Sequence, residues 1–231
     1  QTAILRALFA ADTPNHFRDE VEQQLGRTVF LLRGQVSMTE DDNSAAFARE
    51  LSAAPFSAWQ AYVLSPRRDL LRYQSASHGA MLCCDIVRGG RVVTTAVIDG
   101  NDEDWTLVEQ LAKAADRLCP TREERPHPDA RLLNCPAKTS GIRMLYFHAE
   151  GLPARHRQVL SKAAAGFVEP FHIYYDENGF CFSLSLGEES WQAAAAQLKA
   201  FAAQNALSLG VCGPFTRPSL ALGGREKAMA A

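Results

Sequence analysis

Six cysteines and six histidines are the residues whose types could carry chemistry in this 231-residue sequence. Cys83 and Cys84 are adjacent, with His78 shortly before them, which is the residue pairing of a thiol nucleophile and its base. That chemistry needs an exposed thiolate of low pKa within hydrogen-bond reach of the histidine. The surrounding run, Ala80-Met-Leu-Cys-Cys-Asp-Ile-Val87, is apolar and suits a strand in which cysteine packs as a small hydrophobe. On a strand the two sulfurs point to opposite faces. Cys119, Cys135, Cys181 and Cys212 add no CxxC pair and no zinc-ribbon spacing, so neither a metal site nor a disulfide framework is expected. Such cysteine usage fits a reducing cytoplasm. His148, His156 and His172 fall on a strand, a helix and another strand without ligand spacing. No G-x-G-x-x-G or P-loop is present, and Gly89-Gly90 and Gly223-Gly224 read as turn or break residues. No catalytic residue, metal or cofactor is assigned.

A second set is polar and aromatic. Trp59, Tyr62, Tyr73 and His78, with Arg67, Arg68 and Arg72 nearby, would suit a small aromatic or carboxylate metabolite. Arg72, Tyr73 and His78 are the candidates for ligand contact. The bland alternative is that they are ordinary residues of a half-buried sheet.

The elements that must position these residues fall into two halves. Lys and Arg number 24 against 26 Asp and Glu, a net charge of -2, without the basic excess of a nucleic-acid-coating protein. Hydrophobic residues make up 47%, enough for a sizeable core. No apolar run reaches the roughly 18–20 residues that span a bilayer. Thr2–Ala11 is apolar but short and carries Arg6, so it reads as a helix rather than a signal peptide. A first residue Gln1 suggests a cut or processed chain. Between Cys119 and Ser140 lie Pro120, Pro126, Pro128 and Pro136 with the charged run Arg122–Arg125. Proline removes a donor and bars its predecessor from the helical region, so residues 121–140 form a linker, with room for a short helix over Asp129–Leu133. Residues 1–120 and 141–231 are the two domains.

In the C-terminal half, Gly141–His148 reads as a strand and Leu152–Phe167 as a helix. Phe171–Tyr175 and Phe180–Leu186 flank Asn178-Gly179, a hairpin signal because both residues tolerate positive φ. Ser190 can cap a helix over Trp191–Gln204, Ala206–Cys212 is a last strand, and Leu220–Met229 begins a helix. The order is β-α-β-β-α-β-α, a split-βαβ, ferredoxin-like layout with both crossover helices on one face. Phe180, Phe182 and Leu184 should meet those helices, while Cys181, Ser183 and Ser185 look toward solvent or a partner domain. In the N-terminal half, helices are expected over Asn15–Leu25, Asp42–Ser52 (capped by Asn43 or Ser44) and Trp105–Leu118. Strands are expected over Thr28–Leu32, Ala61–Leu64, Leu70–Gln74, Ala80–Arg88 and Arg91–Asp99, the last two joined across Gly89-Gly90. That is α+β, resembling a PAS or GAF sensor domain in architecture.

The segment Ala206-Leu-Ser-Leu-Gly-Val-Cys-Gly-Pro-Phe-Thr216, followed by Arg225-Glu-Lys-Ala228, resembles the end of the degenerate GGDEF-like domain in the PucR/CdaR class of bacterial transcriptional regulators. Cys212 stands where that pattern has a small hydroxyl residue, and Arg225 near its expected aromatic. Asp85–Asp99 with Asp104–Leu118 resembles the closing hairpin and exit helix of the sensor domain in such proteins. A nucleotide cyclase of this architecture needs metal-binding carboxylates, yet Ile142–His148 has no Asp or Glu, and Asp176-Glu177 reads as turn chemistry.

The resemblance implies a non-enzymatic, cytoplasmic, ligand-sensing portion of a transcriptional regulator. Its partners would be an unidentified small-molecule metabolite and a second copy in a homodimer, with no membrane. DNA would be reached only through a helix-turn-helix domain missing from this chain. The competing class is a small cytoplasmic enzyme, thiol-dependent through Cys83 or Cys84 or nucleotide-binding on the C-terminal half.

Overall fold

The computed structural model describes residues 4, 6–7, 10–61, 69–101, 103–119, 141–216, 221 and 223–231. Tyr62, Arg67, Arg68, Cys135, the proline-rich stretch 121–140 with its expected short helix, and much of Thr2–Ala11 lie outside the described residues. The chain is mixed α+β, with two antiparallel sheets, and divides into two compact units. The first comprises Gln1–Arg122 with Pro153–Arg155, and the second Glu123–Leu152 with His156–Ala231. Among the described residues no helix is long and apolar enough to cross a membrane.

In the first unit, helix α1 (Pro14–Leu25) starts on Thr13, whose hydroxyl accepts from the His16 N–H, and stops at Gly26 with φ +64°. Strands β1 (Val29–Arg33) and β2 (Val36–Ser37) lead into α2 (Asp42–Ala53). The cap of α2 is Asp41 rather than Asn43 or Ser44: its carboxylate accepts from the Ser44 N–H at 2.7 Å. A charged acceptor two residues before Asn43 satisfies a first-turn amide and complements the helix dipole. Strands β3 (Trp59–Ala61), β4 (Leu70–Ser75), β5 (Gly79–Arg88) and β6 (Arg91–Asp99) follow, then α3 (Trp105–Leu118). The sheet order is β2-β1-β6-β5-β4-β3. The β5–β6 hairpin closes on Gly89 and Gly90, φ +55° and +72°, the pair of positive values a two-residue type I′ turn requires.

Alternation along these strands builds a core on each face. Leu70, Leu82, Cys84, Ala96 and Ile98 pack with Phe17 and Val21 of α1 and Val108, Leu111 and Ala115 of α3. Leu71, Tyr73, Met81, Cys83 and Val97 pack with Phe47, Ala48 and Leu51 of α2. On that second face Asp85 is buried and accepts from Thr95 Oγ1 at 2.7 Å and from Arg155 Nε at 2.9 Å and Nη2 at 2.6 Å. The bidentate pairing supplies the buried carboxylate with the donors it would otherwise lack.

In the second unit, β7 (Ile142–His148), α4 (Ala154–Ala165), β8 (His172–Tyr175), β9 (Gly179–Ser185), α5 (Glu188–Gln204), β10 (Ser208–Phe215) and α6 (Gly224–Ala230) succeed one another. The sheet order is β10-β7-β9-β8, every neighbouring pair antiparallel. Leu160 and Ala164 of α4, with Ala194, Leu198 and Phe201 of α5, pack on Phe147, Phe180, Phe182 and Leu184, so both helices cover one face. Helix α5 begins three residues before the expected Trp191, after Gly187 instead of Ser190, because Glu188 and Glu189 suit a helix N-terminus.

Two expectations need correction. Ser183 is buried, at 2% exposure, like Phe182 at 0%. Helix α6 lies over the opposite face and forms a second core there, with Ile142, Met144, Tyr146, Cys181 and Ala228. Ser183 Oγ donates to Met144 Sδ at 3.3 Å, which pairs the hydroxyl inside that core. The β8–β9 turn also sits one residue earlier than Asn178-Gly179. Tyr175 pairs Phe180, the Asp176 N–H donates to the Gly179 carbonyl, and Glu177-Asn178 is the loop. Gly179 is required for a different reason than positive φ. A Cβ there would lie 2.1 Å from the Phe147 carbonyl oxygen and 2.9 Å from the Tyr146 ring.

Gly179→Ala should therefore lower unfolding free energy by about 2–3 kcal/mol, as overpacking against backbone does. Gly187→Ala, whose Cβ meets nothing within 4 Å, should cost less than about 1 kcal/mol in the same urea titration.

Candidate functional site

Of the described polar and aromatic residues of the sequence set, Trp59, Tyr73 and His78 gather on the α2-facing side of the first unit's sheet. Glu50, near the end of α2, is the hub. Its Oε1 accepts from Tyr73 Oη at 3.1 Å, Ser75 Oγ at 2.8 Å and the Ala76 N–H at 2.8 Å; its Oε2 accepts from Ser77 Oγ at 2.6 Å. These four donors are neutral, so they solvate the charge without cancelling it. Burial alone would raise the Glu50 pKa; the Ser77, Ser75, Ala76 and Tyr73 donors outweigh that and hold it below the ordinary 4.5. Tyr73 shifts the opposite way, raised by burial and then by the facing carboxylate, so its hydroxyl remains a donor.

The carboxylate fastens the β4–β5 turn. Ser75 pairs Gly79 across a three-residue loop, and Gly79 takes φ +76°, the left-handed residue that closes such a loop. Ser75 Oγ also accepts from the His78 N–H at 3.0 Å, which holds His78 at the loop's end. The His78 ring sits 4.9 Å from Phe30 and 5.5 Å from Phe47 in edge geometry, and those two rings stack at 4.0 Å. Phe47 in turn meets Tyr73 edge-on at 6.1 Å, and Tyr73 lies 4.5 Å from Trp59. Trp59 is 4% exposed, and its indole Nε1 is buried with no acceptor among the described residues. The Arg155 guanidinium lies 4.5 Å from the centre of the Trp59 ring.

Of the three nominated residues, the structure brings Tyr73 and His78 together through Glu50, Ser75 and Phe47. Arg72 is exposed on the other face of β4, since neighbours on a strand alternate. Glu50, Ser75 and Ser77 were not nominated. Glu50 is 25 residues from Ser75, and only the Ser75-Ala76-Ser77 run at a strand end hinted at a loop needing an anchor.

The thiols are placed for packing. Cys83 and Cys84 are both 0% exposed and lie on opposite faces, as the strand reading requires. Burial pushes the Cys83 thiol up against the opposing pull of Arg155. Cys181 is likewise pushed up, to about 12, chiefly by burial. In the second unit, the Asp176 carboxylate accepts from Tyr146 Oη and from the Asn178 N–H, both at 2.9 Å, which is the work of a turn-forming aspartate.

Two outcomes follow. The Glu50 pKa is depressed on folding, so its stabilisation is complete above 4.5 and fades as pH falls through the lower folded value. Glu50→Gln should cost about 1–2 kcal/mol at pH 7 after allowance for solvent screening. The gap to the parent chain should narrow as urea titrations move below pH 4.5. Among the described cysteines, iodoacetamide with peptide mapping should label Cys119 and Cys212 first in the folded chain. Cys83 and Cys84 should react more slowly than in urea by at least about 100-fold, because they need an opening of the core.

No family model matches this chain, and no curated protein and no solved structure matches it.

Proposed function

We propose that the chain is the ligand-sensing, non-enzymatic portion of a cytoplasmic bacterial transcriptional regulator of the PucR/CdaR kind. The first unit would be its PAS- or GAF-like input domain and the second a ferredoxin-like, degenerate GGDEF-like domain. The described strand orders support this reading: β2-β1-β6-β5-β4-β3 with a helix between the second and third strands, and β10-β7-β9-β8 with two crossover helices on one face. The second unit's first strand carries no carboxylate for metal-dependent nucleotide chemistry.

The observation that carries the ligand reading is Trp59 Nε1, a buried donor beside Tyr73 with no acceptor among the described residues. Such groups are few in folded proteins, and each calls for an explanation. A small aromatic or carboxylate metabolite would supply the acceptor, and its binding would shift the population of domain or dimer arrangements read by a DNA-binding domain outside this sequence.

A thermal-shift screen of aromatic acids and heteroaromatic metabolites tests this directly. One class should raise the melting temperature of the whole chain in a concentration-dependent way. Trp59→Phe keeps an aromatic side chain and removes the lone donor but leaves a cavity in a buried site, so it should lower the unliganded melting temperature by a few degrees without unfolding the chain. The same variant should weaken binding by about tenfold, the worth of one hydrogen bond to a buried partner. A chain that no such compound stabilises, but that turns over a substrate, would contradict the proposal.

A further inference from the structure

We propose that β10 is the surface through which two copies of this chain associate, edge to edge, into one continuous antiparallel sheet. The inference rests on the homodimer expected of the proposed regulator and names where its copies meet. Helices α4 and α5 cover one face of the second unit's sheet and α6 the other. Among the described residues β10 pairs only with β7, so its other side presents unpaired main chain. At eight residues it is the longest strand of this sheet, and every residue of it is half-buried or exposed.

Monomeric proteins guard such edges with charged side chains, proline or bulges. The sequence Ser208-Leu-Gly-Val-Cys-Gly-Pro-Phe215 has no charged residue. Its guards are confined to one end: Pro214 has no N–H to offer, and the register with β7 shifts between Cys212 and Phe215. At the other end Ala206 leaves extended geometry with φ +54°. The unguarded run is therefore Ser208–Cys212, and its midpoint is Gly210.

The occupant this edge fits is an identical strand. An antiparallel two-fold pairing centred on Gly210 sets Leu209 opposite the second copy's Val211, and Ser208 opposite the second copy's Cys212. Sliding the register brings Pro214 or Ala206 into the ladder. The uncharged strand meets itself without like-charge repulsion, and the chain's net charge of -2 opposes association little. The interface is isologous and closed, which stops growth at two.

Sedimentation equilibrium of the full chain, with hydrogen exchange of the 208–212 segment, tests the inference. A dimer is expected, the β10 amides that point away from β7 losing protection on dilution below the dissociation constant. Ser208→Lys, at an exposed position, should raise that constant by at least about tenfold. Ser208→Cys should form an intermolecular disulfide with Cys212 under mild oxidation, while Ser208→Ala should not. A monomer at every concentration would overturn both this inference and the homodimer. A dimer whose β10 exchange and Ser208→Lys affinity are unchanged would overturn the β10 surface and leave the homodimer standing. Protection, in a dilute monomer, of the β10 amides that point away from β7 would mean that another part of the chain covers the edge, and would also overturn it.

Discussion

The central strands of both sheets are buried on both faces, and that constraint governs where the chemical groups on them can sit. A sheet covered on one side leaves alternate residues in water; a sheet covered on two sides forces consecutive residues into separate cores. In the first unit this sends Cys83 and Cys84 into different cores, each fully buried. In the second it buries Phe182 beneath α4 and α5 and Ser183 beneath α6. Polar groups on such strands must find partners inside the protein. Asp85 does so through Thr95 and Arg155, and Ser183 through Met144.

The same constraint concentrates addressable polar chemistry at strand ends and turns. Glu50 reaches from α2 to the β4–β5 turn and accepts four hydrogen bonds, so one carboxylate sets the position of Tyr73, Ser75, Ser77 and His78. These donors link helix, strand and loop into a single electrostatic unit. Trp59 stands beside it, its buried indole donor without an acceptor among the described residues.

Local signals in the sequence were legible where the deciding physics was local. Gly89-Gly90 specified the β5–β6 turn, and Gly26 the end of α1, because positive φ is a property of single residues. The C-terminal element order followed from periodicity and turn residues. What escaped was decided by residues distant in sequence. Ser183 was assigned to solvent because α6 lies some 40 residues beyond it. Gly179 reads locally as a turn glycine, although the close carbonyl of Phe147 is what demands it. Arg72 was grouped with Tyr73 by adjacency, which on a strand means opposite faces. Glu50, the group that organises the candidate site, carried no local mark at all.

The ligand reading comes down to one atom, and its resonance can be watched. The chain has three tryptophans, Trp59, Trp105 and Trp191, so a nitrogen-15 spectrum should contain three indole signals, with Trp59 assigned through the Trp59→Phe variant. Titration with the aromatic and carboxylate metabolites should move the Trp59 signal downfield, as an indole N–H gaining an acceptor does, while Trp105 and Trp191 stay in place. A Trp59 signal indifferent to every compound, or perturbation confined to the other two indoles, would contradict the account.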